Sequence, residues 1–182
     1  MAPFSSNKSG QSYGAGNPQF EIGNANGSNY VKLGFGASQN MDLGYVMEFG
    51  DLSTSGLFLK YSFLNQKIGG SYAMELGYGG SESSNYYYLG LIGSYAFTEY
   101  IELFINPRLT KVTTSDKDIE FGETIGNIVV SETDLAYLYL ASGINIWLND
   151  SFGISLYTIY INGSGIETER NFSSAMTGMF RF

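Results

Sequence analysis

The 182-residue sequence predicts an all-β protein: an antiparallel, up-and-down β-barrel of ten strands that crosses a membrane, with eight strands as the alternative count. Three observations carry this. Apolar and polar residues alternate over successive stretches of roughly 9–12 residues, the length of a tilted membrane-crossing strand. No run of 18 or more apolar residues exists, so no helix crosses, and a closed barrel is the remaining way to pair every backbone group in hydrocarbon. Charged residues make up 14% of the chain, against roughly 25% in soluble domains, and those within the strands all lie opposite the apolar face.

The elements follow in order. Residues 1–16, rich in Gly and Ser, read as a flexible N-terminal lead-in, and residues 17–182 as one barrel domain. Gln19–Asn24 is a short first strand with Phe20 and Ile22 on one face; Pro18 is its weak point, because proline removes a ladder donor. Tyr30–Ser38, Asp42–Gly50, Gly56–Phe63, Ile68–Gly79 and Tyr86–Phe97 each place Leu, Phe, Tyr or Met at alternate positions. Ile101–Thr110, Leu135–Leu148 and Phe152–Ile161 do the same. The last strand, ending at Phe182, carries Phe172, Met176, Phe180 and Phe182 on one parity. An even strand number is what requires Gln19–Asn24 as the tenth.

The connections alternate in length. Gln39–Met41, Leu64–Lys67, Thr98–Tyr100 and Asn149–Ser151 are short; those near 24–29, 51–55, 80–85, 111–134 and 162–170 are longer. Facing parity makes the short ones tight hairpins, with Phe63 opposite Ile68, Phe97 opposite Ile101 and Leu148 opposite Phe152. The same register sets Lys32 opposite Glu48.

The terminal Phe-Arg-Phe, the alternation before it and the loop asymmetry resemble the small outer-membrane β-barrels of Gram-negative bacteria, the class of OmpA and OmpX, over residues 19–182. The resemblance implies short periplasmic turns and longer extracellular loops. It also implies that Met176, Phe180 and Phe182 form the signal read by the barrel assembly machinery. A bacterial outer-membrane location follows, reached through a signal peptide not present in this chain, with outer-membrane lipid and lipopolysaccharide as surroundings. The barrel is expected to be a monomer, since a closed sheet leaves no edge to cover.

Glu21, Lys32, Asp42, Glu48, Lys60, Glu75, Glu102, Arg108 and Arg181 then point into the lumen and fill it with ion pairs, and inward Phe58, Ile92 and Phe104 add apolar surface. Inward Gly34, Gly36, Gly44, Gly77, Gly90, Gly143 and Gly153 suit a crowded interior. Aromatic residues near strand ends form two girdles, with the facing of Tyr30, Tyr100, Tyr137 and Trp147 left open by parity. Parity alone also fits a soluble lipocalin-like ligand binder, which stays in solution without detergent.

The function expected is non-enzymatic: a structural or surface-interaction barrel, with a narrow channel for ions or small molecules as the alternative. The chain has no His and no Cys, so neither a Ser-His pair nor a metal cluster assembles, and no cofactor is expected. Enzymes sharing this architecture rely on a His. Net charge −8 argues against nucleic acid. The acidic connection 111–134 is expected to be a hairpin above the membrane that offers an edge to an extracellular protein partner.

Overall fold

Alternation at period two becomes ladder pairing all the way round. The computed structural model describes residues 8–25, 27–50, 53–82, 84–114, 135–163 and 172–182. Its strands are β1 (Pro18–Ala25), β2 (Ser28–Gly36), β3 (Met41–Phe49), β4 (Thr54–Leu64), β5 (Gly69–Gly80), β6 (Ser84–Ala96), β7 (Ile101–Thr114), β8 (Leu135–Trp147), β9 (Phe152–Gly163) and β10 (Phe172–Arg181). Each pairs antiparallel with the next, and β1 pairs with β10, so the sheet closes into a ten-stranded barrel. At the seam Phe20 stands opposite Phe180. Their rings lie 5.9 Å apart, and Phe152 extends the stack 5.1 Å beyond Phe180. Pro18 is tolerated because it is the first residue of β1, where its carbonyl accepts from the Phe182 N–H.

The side chains are sorted inside out relative to a soluble protein. Leu57 and Leu109 are about 60% exposed, whereas Lys60 and Arg108 are 1% exposed. That distribution excludes a lipocalin-like solution form, in which the large apolar side chains line the interior. The register aligns the outer leucines into one belt: Leu43 faces Leu59, Leu59 faces Leu76, Leu76 faces Leu89, Leu89 faces Leu109 and Leu109 faces Leu138.

Three of the tight turns share one device. Ser38, Thr98 and Asn149 each open a three-residue loop, and each side-chain oxygen accepts backbone N–H bonds from the two residues that end the loop and begin the next strand. The loops at 98–100 and 149–151 therefore close as expected. The first does not: its loop is 38–40, one residue earlier than the expected 39–41. Ser38 serves as the turn's cap and is not the last residue of β2. A one-residue slide of the turn moves the register by two, so Lys32 faces Val46, and Glu48 faces Tyr30. The fourth turn also differs. Ser71 bonds Gln66 through both its backbone N–H and C=O, Gly69 takes φ +106°, and a bulge between Ser62 and Leu64 sets Leu64, and not Phe63, against Tyr72.

On the other rim the strands extend further than alternation indicated. β1 and β2 are separated only by residues 26–27, and β5 and β6 by 81–83, so these connections are short. The asymmetry rests on the connections 115–134 and 164–171. Of the acidic connection, Lys111–Thr114 is the end of β7, and the expected hairpin lies outside the described residues.

Candidate functional site

The lumen contains what the sequence did not disclose: the chain's own N-terminal segment. Residues 8–17 run inside the barrel from the short-turn mouth, where they had been expected as a flexible lead-in. Gly16 N–H donates to the Gly36 carbonyl, and Gly36 N–H returns a bond to the Asn17 carbonyl. A Cβ at Gly36 would collide with the Gly14 backbone, and one at Gly34 with the Tyr13 ring, so two inward glycines of β2 make the channel for the strap.

Polar contacts then fasten it around the wall. Ser12 Oγ and the Tyr13 N–H both donate to Asp42 Oδ1, at 2.6 and 3.0 Å. Lys60 Nζ donates to the Gln11 carbonyl at 2.6 Å and to the Ser9 carbonyl at 3.3 Å, and stands 2.9 Å from Asp42 Oδ2. Gly10 N–H donates to Ser94 Oγ, and Ser9 Oγ to Glu102 Oε1 at 2.7 Å. Asn145 Nδ2 bridges the Lys8 carbonyl and Glu102 Oε2. Lys8 ends the described strap as a buried cation bonded to Glu21 Oε2. Glu21 also takes Lys32 at 3.5 Å on its other oxygen, and Gln19 Nε2 at 3.0 Å. Burial, with the carboxylates of Glu21, Asp42 and Glu75 adding to it, pushes the Tyr13 phenol well above its ordinary range and keeps it neutral.

Of the inward charges read from the sequence, Lys32, Asp42, Glu48, Lys60, Glu75, Glu102 and Arg108 are all buried in the lumen. Asp42, Lys60 and Glu75 form a cross-strand row, Lys60 facing both carboxylates across its two ladders. Glu75 accepts from Asn106 Nδ2 at 2.9 Å. Arg108 is held between the Tyr88 and Tyr139 rings, its guanidinium carbon 4.4 and 4.0 Å from their centres. Arg181 covers the Trp147 ring at 3.5 Å.

Away from the strap, toward the long-loop rim, the lumen turns aromatic. Tyr30, Tyr86, Tyr88, Tyr137, Tyr139 and Tyr157 all point inward with Phe58 and Phe104, and all are buried. Tyr30, Tyr137 and Trp147 therefore leave the membrane girdles, whereas Tyr100 stays outside. Tyr30 bonds Thr177 and lies 3.3 Å from the Tyr157 hydroxyl. Three inward rings pack against the glycine directly across the ladder: Phe58 on Gly44, Tyr88 on Gly77 and Trp147 on Gly153. These inward glycines are thus seats for rings, a pairing legible only once the register is known. Between strap and wall remains a cavity of about 20 Å³, room for roughly one water. A wider hollow of about 270 Å³ opens below it at the short-turn mouth, lined in part by Gln11, Tyr100, Trp147 and Arg181.

The residues read as an assembly signal lie along the seam strand. Met176 and Phe182 are exposed on the outer surface, and Phe180 is half-buried in the Phe20–Phe180–Phe152 stack.

Among solved structures, the KdgM porin in complex with disordered oligogalacturonate superposes with TM-score 0.51 at 7% identity, covering 91% of this chain and 99% of that one. The chain has the fold of an outer-membrane β-barrel. The N-terminal β-barrel domain of Pseudomonas aeruginosa OprF also matches, with TM-score 0.39 at 10% identity over 93% of this chain and 99% of that one. No protein-family model and no curated protein matches the sequence.

Proposed function

We propose that this is a bacterial outer-membrane barrel, closed to steady ion flow, that acts as a structural and surface-interaction protein. The observation that carries this is the filling of the lumen in two layers. The strap and its ion pairs occupy the short-turn half, and the Tyr-Phe cluster around Arg108 occupies the part beyond it. Among the described residues, the space left between strap and wall is about 20 Å³, room for roughly one water and not for a hydrated ion. The absence of His and Cys from the chain supports a non-enzymatic role, since nucleophile activation by a histidine has no His to draw on. With the interior occupied, outer-membrane lipid and lipopolysaccharide meet the outer surface with its belt of leucines, and proteins outside the cell are left the connections between strands, of which 115–134 is acidic in sequence. Planar-bilayer recording tests the reading: the purified chain should insert and give no sustained current. A stable, reproducible open level would overturn it in favour of a narrow channel.

A further inference from the structure

The strap is bound as a ligand is bound. Its hydrogen bonds reach side chains of β1, β3, β4, β6, β7 and β8, and the backbone at Gly36. It adds no strand to the sheet, and the barrel closes without it. Charge gives the same answer. Among the described residues, the lumen wall carries five carboxylates, Glu21, Asp42, Glu48, Glu75 and Glu102, against four cations, Lys32, Lys60, Arg108 and Arg181. Lys8 is the fifth cation and comes from the strap.

We propose that the short-turn half of the lumen is a peptide-binding site and that residues 8–17 are its exchangeable occupant. The site takes an extended, small-residue peptide bearing one lysine. Glu21 receives the ammonium, with the Tyr30 and Tyr157 rings 5.4 and 5.3 Å from it. Asp42 accepts a backbone N–H and a hydroxyl, Lys60 donates to two carbonyls, and Asn145 donates to a third. The narrow channel over Gly34 and Gly36 selects the Tyr-Gly step of the peptide. In the intact chain the tether keeps the site filled, because an attached ligand acts at an effective concentration on the order of millimolar. Release would leave a water-filled vestibule with one uncompensated carboxylate, open to a basic peptide from another chain.

The chain contains no cysteine, so a single Ser12→Cys gives a clean probe. In the full-length protein in detergent, a charged thiol reagent should label Cys at this position slowly. Adding Lys8→Glu should raise the rate at least tenfold while the heat-modifiable gel mobility of the folded barrel is kept. If Lys8→Glu abolishes that mobility, Lys8→Ala replaces it. A fluorescent peptide of residues 1–17 should then bind the released variant by anisotropy, and bind the unsubstituted chain at least tenfold more weakly. The same peptide carrying Lys8→Glu should bind neither. Equal labelling rates with and without the Lys8 substitution would overturn the exchange. Fast labelling without peptide binding would overturn the site. Both readouts are independent of conductance, so this proposal and the closed-barrel reading fail separately.

Discussion

At the residue scale the critical group is Glu21, because one buried carboxylate serves two cations, Lys8 and Lys32. Removing it takes a carboxylate from both, whereas removing either lysine leaves the other in place. Breaking a buried pair costs about 3–5 kcal/mol, so Glu21→Ala should lose stability in that range. Lys32→Met should cost less, because Lys8 still neutralises Glu21. Urea titrations of the refolded barrel check the order, and an equal loss from both substitutions would contradict it. The ring-on-glycine seats give a second residue-scale outcome. Gly77→Val places methyl groups where the Tyr88 ring stands, and overpacking of this kind costs about 1–3 kcal/mol. Thermal unfolding followed by gel mobility reads it. A neutral result would mean the ring has another place to go.

At the scale of the element, the belt of leucines from Leu43 to Leu138 is what hydrocarbon would see. Leu89→Arg in its middle should cost about 2–4 kcal/mol in a bilayer, while the inward neighbour Tyr88 already packs on an arginine. Folding titrations in vesicles measure the first. The strands and their facing were legible from alternation, because period two is imposed by the pleat itself. Turn position was legible only where the capping residue was counted as part of the loop. Thr98 and Asn149 were so counted and their registers hold; Ser38 was counted as strand, and Lys32 was therefore set against the wrong partner. The inward tyrosines were equally hidden. An aromatic side chain suits a membrane rim and a glycine-lined lumen alike, and only the register tells which one it occupies. The strap left no periodic trace at all. Its one signal was a lysine followed by small residues, a composition shared by ordinary linkers.

For the whole molecule, closure makes the first and last strands neighbours. Phe182 contributes one backbone N–H to Pro18 and otherwise stands exposed, so deleting it removes little from the finished barrel. Deletion should reduce the amount inserted in cells several-fold, while the refolded protein unfolds within about 0.5 kcal/mol of the full chain, as for a surface change away from buried features. Immunoblots of membrane fractions and urea curves give the two halves of that outcome. A deletion that inserts normally would remove Phe182 from any role as an assembly signal.

The strap also bears on the order of events during folding. The hydrogen bonds from Ser9, Gly10, Ser12, Gly16 and the Lys8 carbonyl reach strands between β2 and β8, and not the strand that shuts the ring. These anchors are thus present before the last strand arrives. The sheet can curl around its own first residues as around a mandrel, with Lys8 and Glu21 fixing the curvature early. The time at which the seam zips, and not only the final stability, then depends on ten residues that belong to no strand.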